Sequence, residues 1–150
     1  MIQHIRKARF EDADAIAAVR RDAIIGIAPE YDDAGASRWA NSAPASYAID
    51  AIGTNDVFVV ESESGIVGWV AFCANKVENL YVRKSAGRSR VGTILMARAE
   101  AVIAASHASE VVLDASPNAV AFYRKLGYFV VAGPKADASL PMAKPIVRGG

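Results

Sequence analysis

One stretch of the sequence combines a strand, a short basic loop and the start of a helix, and this combination can bind an anion. It runs from Val77 to Leu95, and its loop contains Gly87 and Gly92. A loop with such small residues lets backbone N–H groups converge, and the helix that follows adds unpaired amides and the positive end of its dipole. Full charges are added by four basic residues in or just before the loop: Arg83, Lys84, Arg88 and Arg90. The stretch therefore predicts a phosphate site.

Two familiar glycine loops do not fit this stretch. A dinucleotide-binding fold carries Gly-x-Gly-x-x-Gly after its first strand, and the sequence lacks that pattern. A nucleotide-hydrolase loop needs Gly-x-x-x-x-Gly-Lys-Ser/Thr, but Thr93 follows Gly92 directly, where lysine is required. A nucleotide-binding protein stays open as a rival, and it predicts stabilisation of the folded protein by ATP·Mg.

The elements that must position the loop alternate between strands and helices. Apolar spacing predicts an amphipathic helix after Phe10, with Asp12 as its N-cap, and a helix from about Gly92 to Ser106. Residues 28–56 are expected to form an irregular surface segment that contains short helical turns. One strand is predicted at the start of the Val77–Leu95 stretch, ending with Leu80–Val82. The other predicted strands are Ile2–Ala8, Val57–Glu61, Ile66–Phe72, Val111–Asp114, Tyr128–Ala132 and Leu140–Lys144.

The order of these elements predicts an α/β fold. Val57–Glu61 and Ile66–Phe72 form an antiparallel hairpin around a turn that ends in glycine. The strand before the loop, the helix after it and the strand at Val111–Asp114 form a βαβ unit, so those two strands should be parallel. The expected sheet is mixed and mostly antiparallel, with six to seven strands, a central parallel pair and helices on both faces.

A second motif extends from Ser116 to Tyr128. Ser116 is suited to an N-cap, and proline follows at the first helical position. Phe122 and Tyr123 lie on a helix that Gly127 can end in a left-handed conformation.

The two motifs together resemble those of the GNAT superfamily of N-acetyltransferases. Leu80–Met96 is similar to the family's motif A, a Leu-Tyr-Val strand followed by a Gln/Arg-x-x-Gly-x-Gly/Ala loop and a helix. Ser116–Tyr128 is similar to motif B, with its asparagine, its Phe-Tyr pair and its Leu-Gly-Phe/Tyr ending. The resemblance spans nearly the full length and implies a GNAT-like fold that uses acetyl-CoA as cosubstrate, with no metal. The cofactor-binding residues that it implies are Leu80, Tyr81, Val82, Arg88, Ser89, Arg90, Val91, Gly92, Thr93, Asn118, Phe122 and Tyr123.

The loop departs from the family pattern at two positions. Gly87 occupies the usual Gln/Arg position, and Arg90 occupies the position of the first glycine. A side chain at position 90 is compatible with an anion-binding turn if its φ is negative, and its guanidinium could then bond a phosphate.

Direct transfer of an acetyl group to a primary amine, which the resemblance implies, needs a base, an oxyanion donor and an acid. Glu78 lies just before the Leu-Tyr-Val run, where the family often places a basic carboxylate, and partial burial would raise its pKa. The alternative is a strand-edge charge paired with Lys76 or Arg83. Tyr123 matches the family's tyrosine, which can protonate the departing thiolate. A backbone N–H near Leu80 is the expected oxyanion donor, because the family's strands splay at this point.

The bulk composition narrows the class of protein. A chain of 150 residues fits one domain, residues 1–150, and a net charge of +1 argues against general nucleic-acid or membrane-surface binding. Cys73 is the only cysteine, so no disulfide framework or thiolate zinc cluster is expected, and a cytoplasmic protein is predicted.

The sequence gives the least information about the molecule that accepts the acetyl group. The resemblance implies a small-molecule or peptide amine, and it allows a homodimer. Residues 28–56 and the loop at Gly133–Ser139 should shape the acceptor site. A non-catalytic acyl-CoA-binding or sensing module is the main alternative to an enzyme.

Overall fold

A computed structural model of the chain describes residues 3–26, 38–41, 43–87 and 89–147. Its strands form one sheet with the order β1-β2-β3-β4-β5-β7-β6. The strands are β1 (His4–Lys7), β2 (Asp56–Ser62), β3 (Gly65–Cys73), β4 (Lys76–Val82), β5 (Glu110–Ala115), β6 (Phe129–Val130) and β7 (Leu140–Pro145). The helices of at least six residues are α1 (Ala13–Ile25), α2 (Tyr47–Thr54), α3 (Val91–Ala105) and α4 (Val120–Lys125).

The sheet has the mixed pairing that the sequence predicts. Strands β1 to β4 pair antiparallel in chain order, and β5, β7 and β6 continue the sheet with antiparallel pairs. Between these halves, β4 and β5 pair parallel across the α3 crossover. The predicted α/β fold with one central parallel pair is therefore confirmed.

Each face of the sheet has its own apolar core. One face packs against α3, whose buried side chains include Leu95 and Ile103, with Tyr123 of α4 in the same cluster. The other face packs against α1 and α2 through Ile16, Val19 and Ala48. The helices therefore cover both faces, as expected from their apolar periodicity.

The main local differences from the sequence-based expectations concern ends of elements. Asp12 does not cap α1 with its side chain; its carboxylate accepts bonds from Arg6 Nη1 at 2.8 Å and from the Arg9 N–H at 2.8 Å. Asp12 thus closes a short 3₁₀ turn at Phe10–Asp12 that precedes α1. The strand expected at Tyr128–Ala132 is only the two-residue β6. The expectation for residues 28–37 lies outside the described residues.

Among residues 3–26, 38–41, 43–87 and 89–147, no helix combines the length and apolar character that a bilayer span requires.

Candidate active site

A bulge in β4 is placed where the sequence predicts the general base. Val77 pairs with Phe72 and Asn79 pairs with Ala71, so Glu78 is an extra residue with no partner on β3. Such a bulge reverses the faces to which the following side chains point. As a result, Val77 and Leu80 both contact the α3 side of the sheet, whereas Tyr81 packs on the α1 side.

Immediately beyond the bulge, β4 separates from β5. Their parallel pairing comprises only Lys76 with Val112 and Val77 with Leu113, whereas the end of β5 pairs with β7. On the other side of β4, the Arg83 N–H donates to the Val67 carbonyl at 2.8 Å. Because backbone direction alternates along a strand, the N–H groups of Leu80 and Val82 point to the side that β5 has left. The splay expected near Leu80 is present.

A cavity of about 680 Å³ fills the opening between the two strands, and we call it the main cavity. Its walls come from the end of α1, from β4 and β5, from the start of the α4 region and from the loop before β7. The predicted site residues in its lining are Glu78, Leu80, Tyr81, Val82, Asn118 and Tyr123. The structure thus brings together residues from both sequence motifs.

Tyr123 lies in the wall of this cavity with its side chain buried. Burial raises its pKa well above the ordinary tyrosine value, and the nearby Tyr81 adds to the effect. Its ring packs edge-on between Phe122 and Tyr128, with centroid distances of 5.2 and 5.8 Å. Tyr128 is itself fixed by a 2.8 Å bond from its hydroxyl to Glu100. The phenol of Tyr123 is therefore protonated at neutral pH and held in one place.

Glu78 lines the same cavity but is exposed, so the expected partial burial is wrong. The bulge explains this, because an unpaired residue at the strand opening is not covered by a neighbouring strand. The alternative partners are also engaged elsewhere. Lys76 Nζ lies 3.1 Å from Asp114, which is the main cause of the raised pKa of Lys76, and Glu78 adds a smaller electrostatic effect. Arg83 Nε donates to the Ile66 carbonyl at 3.2 Å.

Asp114, which lines the main cavity, belongs to an ion-pair cluster that the sequence did not suggest. Asp114 Oδ2 lies 3.1 Å from Lys76 Nζ and 2.7 Å from Lys135 Nζ. Burial alone would raise the pKa of Asp114, but the two ammonium groups hold it below its ordinary value. Lys135 thereby ties the loop before β7 to β5, and Asp137 and Ser139 of that loop line the main cavity.

The basic loop before α3 differs from the expectation at Arg90. Its φ is +67° and its ψ is 12°, in the left-handed region, so the condition of a negative φ is not met. Glycine is the usual residue for that conformation, which gives a physical reason for glycine at the matching family position. Gly87, in contrast, has a φ of −63°, which any residue can adopt.

The first turn of α3 has backbone donors without an intrahelical acceptor. The Ile94 N–H donates to the Arg90 carbonyl at 3.0 Å, so the N–H groups of Val91, Gly92 and Thr93 come before the first N–H that has an intrahelical acceptor. Ser89 is different, because its N–H and its hydroxyl both donate to the Ala86 carbonyl, at 3.1 and 2.6 Å. Ser89 thus shapes the loop, and the predicted contact of Arg88 lies outside the described residues.

Two glycines allow the start of α3 to pack closely against its neighbours. A Cβ on Gly92 would lie 3.1 Å from Phe122 Cζ and 3.8 Å from a Val82 methyl group. A Cβ on Gly68 of β3 would lie only 2.7 Å from a Val91 methyl group. Phe122 is not among the residues lining the main cavity; it packs at the joint between α3 and α4.

Arg20 is a residue of this region that the sequence reasoning missed. Its side chain is buried and donates to the Ala40 and Trp39 carbonyls at 3.1 and 3.2 Å. The guanidinium also lies over the rings of Tyr47 and Tyr81, at 5.0 and 6.0 Å from their centroids. Burial raises the pKa of Tyr47 to about 12, although Arg20 opposes the shift. Trp39 and Tyr81 line the main cavity, so Arg20 supports that wall from behind.

The sequence matches the family described as "Acetyltransferase (GNAT) domain" over residues 27–144. The chain belongs to this family. It is therefore an enzyme of the N-acetyltransferase class, and the resemblance drawn from its two motifs is confirmed.

Solved structures show the same fold. A GCN5-related N-acetyltransferase from Rhodopseudomonas palustris has a TM-score of 0.88 and 22% identity, with 97% of each chain covered. The PaiA N-acetyltransferase from Thermoplasma acidophilum, solved with coenzyme A, has a TM-score of 0.82 and 20% identity, with 97% of this chain and 100% of that chain covered. An Escherichia coli N-acetyltransferase for a ribosomal-protein alanine has a TM-score of 0.65 and 15% identity, with 99% and 97% covered. A search of curated proteins found no match.

Proposed function

We propose that this enzyme transfers the acetyl group of acetyl-CoA directly to a primary amine. The observation that carries the proposal is the opening between β4 and β5, which joins Glu78, the Leu80 N–H and Tyr123 in one cavity. The family supports acyl transfer, and the T. acidophilum protein of the same fold was solved with coenzyme A.

The residues present fit coenzyme A in two respects. The first-turn N–H groups of α3 and the exposed Arg90 suit a pyrophosphate, because unpaired amides and a guanidinium both favour anionic oxygens. The backbone of Leu80 and Val82 faces the opening and can bond the amides of an extended ligand arm, while Asn118 lines the opposite wall. Acetyl-CoA supplies an activated acetyl group as a thioester.

Each chemical role falls to a group of this chain. Glu78 accepts a proton from the incoming ammonium group, directly or through water, which frees the nitrogen lone pair to attack the carbonyl carbon. The Leu80 N–H bonds the carbonyl oxygen as negative charge develops there. Tyr123 gives its proton to the sulfur as the carbon–sulfur bond breaks. The acylated nitrogen loses its second proton, which returns to the Tyr123 phenolate because burial raises the pKa of that phenol, and Glu78 releases its proton to solvent. The products are an acetamide and a free thiol.

Binding is tested by thermal unfolding with acetyl-CoA and with ATP·Mg as the comparison ligand. A ligand that binds only the folded state raises Tm, so acetyl-CoA at 100 times its Kd should stabilise the protein by about 2.7 kcal/mol. Stabilisation by ATP·Mg alone would instead favour the nucleotide-binding alternative.

Turnover is tested by release of free thiol with a panel of primary amines. Tyr123→Phe should lower kcat by about 100-fold or more while acetyl-CoA still raises Tm, because only proton transfer is removed. Tyr128→Phe is the matched control, since Tyr128 is also buried but bonds Glu100 and does not line the main cavity. An unchanged kcat in Tyr123→Phe would exclude Tyr123 as the acid, and release of no thiol with any amine would oppose the proposed transfer.

A further inference from the structure

The last turn of α1 meets the segment between β4 and α3 at Lys84. Asp22 Oδ2 accepts a hydrogen bond from the Lys84 N–H at 2.8 Å. Gly26, directly after α1, lies so near that a Cβ on it would be 3.1 Å from Lys84 Cβ. A hydrogen bond and close packing therefore join α1 to this segment.

The Asp22 carboxylate caps the short 3₁₀ turn at Lys84–Ala86. The first N–H of such a turn has no acceptor within the turn, and Arg83, which precedes it, makes no side-chain cap bond. The N–H and Nε of Arg83 donate instead to two carbonyl groups of β3, at 2.8 and 3.2 Å. Lys84 is thus the point at which the segment leaves β3 and is held by α1.

Hydrogen bonds continue from this turn toward the start of α3. The Gly87 N–H donates to the Lys84 carbonyl at 3.2 Å, and the Ser89 N–H donates to the Ala86 carbonyl at 3.1 Å. Ala86 is buried in the apolar core on the α3 side. Arg90 and the first turn of α3 follow directly, so the position of Lys84 bears on the backbone that is proposed to bind the pyrophosphate.

The same turn of α1 also forms a wall of the main cavity. Ala23 and Ile24 follow Asp22 in the sequence and line that cavity, and Ile24 is buried. Asp22 therefore connects the cavity wall to the basic loop.

The charge of Asp22 does not explain its place beside the basic loop. A carboxylate here opposes the binding of an anion to the loop. Within residues 3–26, 38–41, 43–87 and 89–147, Asp22 forms no ion pair that would offset this effect. What the structure uses is the carboxylate oxygen as a hydrogen-bond acceptor.

We propose that Asp22 is a positioning residue, whose hydrogen bond to Lys84 holds the basic loop against α1 and thereby maintains the affinity for coenzyme A. This inference rests on the proposed function. Loss of the carboxylate has two opposite effects, because it relieves repulsion of the anion but releases Lys84. Asparagine separates the two effects, since its amide oxygen still accepts a hydrogen bond and carries no charge.

The test is the Kd of coenzyme A, measured by titration calorimetry on purified protein. Asp22→Ala should weaken binding about three- to tenfold, the scale of one hydrogen bond, although it removes a repulsive charge. Asp22→Asn should bind coenzyme A as tightly as the unchanged protein or more tightly. The difference between the two variants should persist at high salt, because salt screens exposed charges and not a hydrogen bond between uncharged groups.

Two control variants on α1 separate this effect from charge and from stability. Asp14→Ala removes an exposed carboxylate from the same helix, about 12 Å from Asp22 along its axis. Val19→Ala removes a buried side chain from the core between α1 and the sheet, so it should lower Tm without a change at Lys84. Both controls should retain the coenzyme A affinity of the unchanged protein.

The outcomes distinguish this inference from the proposed function. Equal or tighter binding by Asp22→Ala overturns the positioning role, because the carboxylate would then act only through its charge. Equal weakening by Asp22→Asn and Asp22→Ala, or by Val19→Ala and Asp22→Ala, also overturns it. Each of these results leaves coenzyme A as the ligand of the unchanged protein, whereas no binding by the unchanged protein overturns both proposals.

Discussion

Replacing Arg90 by glycine tests the most unusual backbone feature of the loop before α3. Arg90 has a φ of +67°, and a residue with a Cβ in this region is destabilised by about 1–2 kcal/mol relative to its favoured conformation. Glycine removes that strain but gives the unfolded chain more freedom, which offsets about 0.4–1 kcal/mol. The net expectation for Arg90→Gly is a free energy of unfolding raised by about 0.5–1 kcal/mol.

In a chain of this length, that change corresponds to a Tm higher by about 1–4 °C, measured by calorimetry without ligand. His107→Gly is the matched control, because His107 has a φ of +69° just beyond the other end of α3. It should give a similar rise in Tm. Gly87→Ala should also be tolerated, since the new Cβ would meet only the Lys84 carbonyl at 3.4 Å.

Measuring the affinity for coenzyme A distinguishes the effect of Arg90 on backbone strain from its effect on ligand binding. If the Arg90 guanidinium contacts a phosphate, Arg90→Gly should weaken coenzyme A binding by about fivefold at low salt, while His107→Gly leaves it unchanged. The difference should shrink as salt is added. A lower Tm in Arg90→Gly beside a higher one in His107→Gly would refute the strain argument, and tighter binding by Arg90→Gly would refute a phosphate role for Arg90.

Two further predictions concern residues that hold the site from behind. Arg20→Lys should lower the free energy of unfolding by about 2 kcal/mol and raise KM for the acceptor several-fold, because lysine cannot bond both the Trp39 and Ala40 carbonyls. Acetyl-CoA affinity should not change, and a fall in it as large as the change in KM would argue for a general loss of structure. Arg21→Lys, at an exposed neighbour, is the control and should change neither stability nor KM. Gly68→Ala should destabilise the protein by about 1–3 kcal/mol and weaken coenzyme A binding, since its Cβ would push α3 from the sheet. Gly53→Ala is the control and should be neutral or stabilising, because its Cβ would lie 3.9 Å from Phe10 Cε1. Retained coenzyme A affinity in Gly68→Ala would show that the α3 position is not critical.

Much of the fold could be predicted because it depends on local patterns. The apolar periodicity of α3 places its start within one residue of the expected position, and the βαβ order requires the parallel β4–β5 pair. The short β6 could not be predicted in the same way. Its sequence is apolar enough for a longer strand, but its ladder with β7 comprises Phe129 and Val130 and is followed by one bond from the Val131 N–H to the Pro141 carbonyl at 3.0 Å.

The sequence could predict which residues line the site, because that follows from residue type and motif. It could not predict the strand register or the backbone angles of those residues. Glu78, Asn118 and Tyr123 line one cavity as expected, although their roles stay predictions. The exposure of Glu78 follows from a bulge, which is a property of how two strands pair. Arg20 did offer a signal: it lies four residues after Ile16 on the inward side of α1, where an arginine must find partners.

The bulge at Glu78 sets the positions of both the proposed base and the proposed oxyanion donor. Without the extra residue, the alternation begun at Val77 would continue through Asn79 and Tyr81 on the α3 side, and Leu80 would face α1. The observed arrangement instead turns the side chains of Leu80 and Val82 toward the α3 core and the ring of Tyr81 toward Arg20. The same displacement points the Leu80 N–H into the opening beside β5 and leaves the Glu78 carboxylate at its mouth. The residue proposed as the base is thus also the one whose insertion directs the proposed oxyanion donor.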